Sequence, residues 1–146
     1  MYLFAVIETI VILLFVWLMP KRLSNVEIYI TWAIMAGLTL YIDFLLVLVF
    51  KVYYQGTPKV DWQVLMFEPI LGPGFGVIFL NFMPIRRNTF ICYLVGLVIP
   101  LSLLNELIAV HCGYITFQGW SIGYSAIVYF VGMFFLRWHL NFIRSR

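Results

Sequence analysis

The sequence predicts an all-α polytopic membrane protein, a bundle of five transmembrane helices formed by one domain over residues 1–146. Two observations carry this prediction. Apolar residues make up 64% of the chain and charged residues only 10%, whereas an ordinary soluble domain has about 25% charged residues. The apolar residues also fall into runs of the length that crosses a bilayer, about 20 residues. These runs cover residues 2–19, 27–50, 64–83, 90–112 and 120–138.

The first run predicts a retained helix and not a secretory signal peptide, because no basic residue precedes it and Lys21 and Arg22 follow it. With the N-terminus outside and five alternating spans, only Lys51 and Lys59 of the basic residues face outward. The other seven lie on the cytoplasmic side: Lys21, Arg22, Arg86, Arg87, Arg137, Arg144 and Arg146. Cytoplasmic loops of membrane proteins carry this excess of positive charge. We therefore expect the N-terminus outside and the C-terminus inside.

The basic residues follow the apolar runs in small groups and form no continuous basic stripe, so we expect no nucleic-acid partner. The expected partner is the lipid bilayer. Paired glycines with GxxxG spacing, Gly72 with Gly76 and Gly119 with Gly123, permit close contact between helices. Such contact serves packing within the chain or the interface of a homo-oligomer, and a small bundle of this kind is also suited to a membrane partner protein.

The third run is irregular, with Pro69 and Pro73 inside it and glycines around them. Proline removes a helical hydrogen bond, so we expect this span to be kinked or broken. A helix that begins only at Pro69 would span about 22 Å, less than the roughly 30 Å of the hydrocarbon core. Residues 60–68 would then lie at the outer interface.

Four carboxylates lie inside four different runs, and they are Glu8, Asp43, Glu68 and Glu106. Counted from the outer end of each helix, all four lie about 6 to 11 Å below the outer surface. A carboxylate facing lipid is costly, so we expect these side chains to meet in one cavity. Including two polar neighbours on the fourth helix, the candidate ligand-binding residues are Glu106, Asp43, Glu8, Glu68, Asn105 and His111.

Each candidate also has a purely structural interpretation. Glu8 and Asp43 lie shallow enough for their polar tips to reach the outer interface. Glu68 precedes Pro69 and could cap the N-terminus of a short helix. His111 lies near the outer boundary, where an interfacial histidine is common. Glu106 has the weakest structural interpretation, because it lies beside Asn105 in a 23-residue span.

Clustered carboxylates repel one another when ionised, so such a site holds a proton or a cation. Oxygen ligands favour Ca²⁺, Mg²⁺ or Mn²⁺ over zinc, and the chain has only two histidines. No motif for a cofactor or a catalytic metal is evident. The sequence therefore predicts an outward-facing acidic pocket that binds a cation, a proton or a small cationic ligand in a transport or sensing system.

Two other functions fit the same residues. One is a membrane-embedded enzyme at the outer leaflet, with Glu106 as general acid or base. The other is a structural or assembly protein whose carboxylates pair with basic groups of a partner. Whether the chain is an enzyme is left open by the sequence.

Two sequence segments carry a resemblance. The first span ends in WLMPKR, with Glu27 shortly after it, and the proline-rich third span ends in NFMP. In these features the chain resembles uncharacterised small multi-spanning membrane proteins of endospore-forming Gram-positive bacteria. The resemblance implies a bacterial plasma membrane, or alternatively a spore membrane, as the location. It implies no activity and no residue role.

Overall fold

The computed structural model describes residues 1–146 and is built from five helices, four of which are long and apolar enough to cross a membrane. The helix predicted for the first run is apolar but shorter, with 17 residues. The helices are α1 Tyr2–Leu18, α2 Asn25–Val49, α3 Trp62–Asn81, α4 Arg87–His111 and α5 Ile122–Arg144. Helices α2 and α4 contain π-helical turns, at Phe44–Val49 and Leu94–Val98.

One end of the bundle carries the loops α1–α2 and α3–α4 and the C-terminus, and we call it the basic end because the seven clustered Lys and Arg residues lie on these segments. Asn81 joins the two loops, since its Nδ2 donates to the Pro20 carbonyl at 3.0 Å. Its Oδ1 accepts from the Arg22 backbone N–H at 2.8 Å. Arg144 Nε donates to Glu27 Oε1 at 2.6 Å, which ties the C-terminus to the start of α2.

The opposite end carries the N-terminus and the loops α2–α3 and α4–α5, and we call it the acidic end because the buried carboxyl cluster lies beneath it. The two loops pair through a short antiparallel sheet, β1 Tyr53–Gln55 with β2 Ile115–Phe117. Sequence patterns gave no sign of this sheet, because each strand has only three residues. Below it lies a small core of Ala5, Val64, Ala109 and Tyr114.

Helix α3 is continuous, which corrects the expectation that the third span is broken at Pro69. It begins at Trp62, so the segment before Pro69 is helical and not a separate interfacial stretch. Pro73 has no N–H to donate to the Pro69 carbonyl. Trp32 of α2 replaces that donor, because its Nε1 donates to the Pro69 carbonyl at 3.0 Å. Helix α3 therefore continues past Pro73, because Trp32 of the neighbouring helix satisfies the Pro69 carbonyl.

The first glycine pair packs within the chain, as one of the two expectations had it. A Cβ at Gly72 would lie 2.7 Å from Thr39 Oγ1, and one at Gly76 would lie 3.1 Å from the Met35 methyl carbon. These glycines let α2 lie close against α3. The second pair is different, because a Cβ at Gly119 would meet nothing within 4 Å.

The main core lies towards the basic end. It is a cluster of ten buried apolar residues from the ends of α1, α3, α4 and α5 and the loops between them. Phe90 of α4 is fully buried there and packs edge-on against Phe134 of α5, with ring centroids 5.3 Å apart. This core holds the helices together below the buried polar groups of the acidic end.

Candidate functional site at the acidic end

Glu106 is buried between α4 and α5, with 7% of its surface exposed. Ser125 Oγ donates to its Oε1 at 2.5 Å, and the Tyr129 hydroxyl donates to its Oε2 at 2.7 Å. These two donors are four residues apart on α5 and so lie on the same helix face. Trp120 Nε1 in turn donates to Ser125 Oγ at 2.7 Å. Both oxygens of Glu106 therefore have a neutral donor.

Asp43 and Glu68 form a second buried group, between α2 and α3. Their side chains lie close enough to interact electrostatically with each other. Glu68 is 6% exposed, and Asp43 is half-buried. The Tyr53 hydroxyl of β1 donates to Asp43 Oδ1 at 2.5 Å, whereas Asp43 Oδ2 is buried and has no donor. The carboxyl groups of Asp43 and Glu68 are thus neighbours between α2 and α3.

The loop residues over this pair are polar or aromatic. Gln55 of β1 lies beside both Asp43 and Glu68. Burial raises the pKa of the Tyr53 hydroxyl, and the neighbouring Asp43 raises it further. Burial likewise raises the pKa of the Tyr114 hydroxyl, followed by the effect of Glu68. Both phenols therefore stay protonated, and Tyr53 serves as a hydrogen-bond donor to the acidic pair.

Glu8 of α1 is half-buried and bonds to α4, since Asn105 Nδ2 donates to Glu8 Oε1 at 2.5 Å. Glu8 also lies close enough to Glu68 to interact with it electrostatically. Tyr129 stands between the groups, since its hydroxyl bonds to Glu106 and it interacts with Asp43 and Glu8 as well.

The four predicted carboxylates thus lie at one end of the bundle, but in three different bonding arrangements. Glu106 is bonded to hydroxyls, Glu8 to an amide, and Asp43 to the Tyr53 hydroxyl beside Glu68. His111 lies exposed at the end of α4 and has no hydrogen bond to any of them. A ligand-binding role for these six residues stays a prediction.

Metal and cofactor chemistry has little support in this arrangement. No group of three or more His, Cys, Asp or Glu side chains is placed to hold a metal ion. The two cysteines, Cys92 and Cys112, are free and exposed. Two surface grooves run beside α1, and no acidic residue lines either of them.

Several residues of the site were missed by sequence reasoning. Tyr53 and Gln55 lie in a loop without a pattern that would place them near α2 and α3. Ser125 lies in the fifth span, where a small side chain predicts helix packing and not a hydrogen bond to a carboxylate. Tyr129 could have been found with it, because a hydroxyl pair four residues apart on an apolar helix implies a buried acceptor.

Comparisons of the chain with models of protein families, with characterised proteins and with solved structures found no match. The resemblance to membrane proteins of endospore-forming bacteria stays a prediction. The site is therefore interpreted from its own geometry.

Proposed function

We propose that the chain crosses a bacterial plasma membrane, or a spore membrane, five times, with its acidic end outside. The charge distribution supports this orientation, because seven basic residues belong to the basic end and only Lys51 and Lys59 lie on the loops of the opposite end. Helix α1 has 17 residues and rises about 26 Å, close to the roughly 30 Å of a hydrocarbon core. It can span with slight local thinning of the bilayer.

Cys112 offers a direct test of this orientation, because it is exposed at the C-terminal end of α4. A membrane-impermeant maleimide added to intact cells is expected to label the Cys92→Ser variant, which keeps Cys112. The Cys112→Ser variant is the control and should stay unlabelled. Labelling of Cys112 only after the membrane is opened would contradict the proposed orientation.

The proposed function is proton binding by the Asp43–Glu68 pair, in a component or accessory of a transport or sensing system. The observation that carries it is the proximity of these two carboxyl groups together with Asp43 Oδ2, which is buried and has no hydrogen-bond donor. Two ionised carboxylates in contact repel strongly in a medium of low polarity. One shared proton removes the repulsion and supplies the missing hydrogen bond.

The proton is the best supported of the three predicted ligands. It needs no cavity, and it needs only two oxygens at hydrogen-bonding distance. A divalent cation needs six or more oxygen ligands or bound waters, and the side chains around the pair are a phenol donor and an amide. A small organic cation needs a pocket lined by acidic residues, and no acidic residue lines the two grooves beside α1.

The enzyme alternative rests on Glu106, and its surroundings argue against it. Both oxygens of Glu106 already accept hydrogen bonds from side chains of the same chain. A general acid or base must instead reach a substrate proton with one of these oxygens. Glu106 is better explained as the buried acceptor that joins α4 to α5.

The test is the thermal stability of the detergent-purified protein across pH and with added Ca²⁺, Mg²⁺ and Mn²⁺. A carboxyl pair that holds a proton only in the folded state stabilises the fold at low pH and loses this contribution as the pH rises through its titration. We expect Glu68→Gln to remove this pH dependence and Glu106→Gln to keep it. Stabilisation by a divalent cation that Glu68→Gln abolishes would overturn the proton in favour of a cation.

A further inference from the structure

An open groove of about 390 Å³ lies between the end of α1 and the first turns of α2, near the basic end. Its floor is apolar, with Val16, Ile28 and Trp32 among its lining residues. Its mouth towards the loop is polar, because Lys21 and Asn25 line it there. A groove that is apolar along its length and cationic at one end has the polarity of a lipid with an acidic headgroup.

Lys21 is exposed and has no carboxylate partner, since the one salt bridge in the structure joins Arg144 to Glu27. Glu27 is the acidic residue of this end, and it is already bonded to Arg144 and to the Ser24 backbone N–H. The positive charge of Lys21 is therefore available to a ligand. The neighbouring Arg22 is also exposed, but it does not line the groove.

The start of α2 adds donors beside Lys21. The Ser24 side chain caps the Glu27 N–H, but the backbone N–H groups of Asn25 and Val26 have no acceptor in the protein. Unpaired N–H groups at a helix N-terminus attract phosphate oxygens. Lys21 and Asn25 both line the groove, so the Lys21 ammonium and the Asn25 N–H are two donors for a phosphate group at its mouth.

We propose that this groove binds an anionic phospholipid, with the phosphate at Lys21 and an acyl chain along Val16, Ile28 and Trp32. The proposal is separate from the carboxyl pair at the acidic end and requires only that the helices lie in a bilayer. It agrees with the proposed orientation, because the basic end would then face the cytoplasmic leaflet, whose anionic lipids attract Lys and Arg. The bound lipid would bridge α1 and α2.

The test is native mass spectrometry of the full chain in detergent, titrated with phosphatidylglycerol and separately with phosphatidylcholine. We expect the first bound phosphatidylglycerol to be preferred, and Lys21→Gln to weaken it about fivefold, the effect of one cation near a lipid headgroup. Arg22→Gln is the matched control, since it removes the same charge from the neighbouring residue, which does not line the groove. It should weaken binding less than twofold.

A second variant tests the apolar part of the groove. Ala33 lines it and is exposed, so Ala33→Phe fills the groove without disturbing the core. This variant should lose phosphatidylglycerol binding while keeping Lys21. Equal binding of the two lipids, equal losses in Lys21→Gln and Arg22→Gln, or unchanged binding by Ala33→Phe would each overturn the proposed site.

Discussion

Two buried acidic groups lie at the same end of this bundle, and they differ in what surrounds them. Glu106 accepts hydrogen bonds from Ser125 and Tyr129, so both of its oxygens have neutral donors. Asp43 and Glu68 have each other, with one donor from Tyr53 and one oxygen without any. The first arrangement is complete as it stands, whereas the second lacks a donor, which the proposed proton would supply.

The difference shows that depth in the membrane does not decide the role of a carboxylate. All four carboxylates are predicted to lie at similar depth, and Glu106 was the leading functional candidate because Asn105 lies beside it. Its donors make it a structural link between α4 and α5. The pair on α2 and α3 has the incomplete bonding expected of a binding site, because an unsatisfied buried polar group in a native fold calls for a ligand or a proton.

The largest expected effect tests whether Glu106 is structural. Glu106→Ala leaves the Ser125 and Tyr129 hydroxyls without an acceptor and opens a cavity between two helices. We expect a loss of about 2 to 4 kcal/mol in the free energy of unfolding, measured by denaturant titration in detergent. Glu106→Gln keeps the shape and one acceptor oxygen, so its loss should be much smaller. Equal losses in the two variants would contradict the hydrogen-bonded link.

The next effect tests whether close packing of α3 positions the acidic pair. A Cβ at Gly74 would collide with the Ile12 side chain of α1, so Gly74→Ala should destabilise the fold by about 2 kcal/mol. It should also disturb the proton signal of the pair, because Glu68 lies on the same helix. Gly132→Ala is the control, since a Cβ there meets nothing within 4 Å. A stability loss in Gly132→Ala as large as in Gly74→Ala would contradict the packing argument.

A smaller effect is expected at Asp61, the half-buried acid that caps α3. Burial alone would raise the pKa of Asp61, but hydrogen bonds from the Tyr2 hydroxyl and from the N–H groups of Val64 and Gln63 hold this pKa below its usual value. Its contribution to stability is therefore present above the usual aspartate pKa and is lost as the pH falls through the lower value. Asp61→Ala should cost about 1 kcal/mol at neutral pH by thermal unfolding.

The stability contributed by Asp61 is lost at low pH, whereas that of the Asp43–Glu68 pair is lost at high pH. The opposite signs distinguish the two contributions. Asp61→Asn should remove the loss of stability at low pH and leave the change at higher pH intact. Glu68→Gln should do the reverse. If Asp61→Asn removed both changes, the pH dependence of stability assigned to Asp43 and Glu68 would belong to Asp61.

The smallest expected change in stability is that of Glu68→Gln itself. The amide of Gln can donate an N–H to Asp43, so it supplies the hydrogen bond that the shared proton supplies in the native chain. We expect the free energy of unfolding near neutral pH to change by less than about 1 kcal/mol. Glu68→Leu is the comparison, and it should destabilise the fold clearly because it leaves Asp43 buried without a partner. A loss in Glu68→Gln as large as that in Glu68→Leu would contradict this account of the pair.

The helical membrane architecture could be predicted because it depends on the length of apolar runs. Of the two expectations for the third span, a kink or a break, the break was wrong, because the sequence alone does not show that Trp32 supplies the donor that Pro73 lacks. Similar reasoning explains Glu27, which looks like an ordinary solvated residue by position. It is 8% exposed, because Arg144, 117 residues later in the chain, pairs with it.

The carboxylates inside the apolar runs could be recognised, but their partners could not. Glu8, Asp43, Glu68 and Glu106 are visible as charges within these runs, and a ligand-binding role for them stays a prediction. Which acid meets which donor depends on helix rotation and on loops, and Tyr53 reaches Asp43 through a strand of only three residues. Short-range sequence patterns carry no information on such contacts.

The most direct test of the shared proton is difference infrared spectroscopy of the purified protein across pH, which detects the C=O stretch of a protonated carboxyl group. We predict that native protein keeps this band at neutral pH, that Glu68→Gln loses it, and that Glu106→Gln keeps it. Absence of the band in native protein at neutral pH, or its loss only in Glu106→Gln, would contradict a proton shared between Asp43 and Glu68.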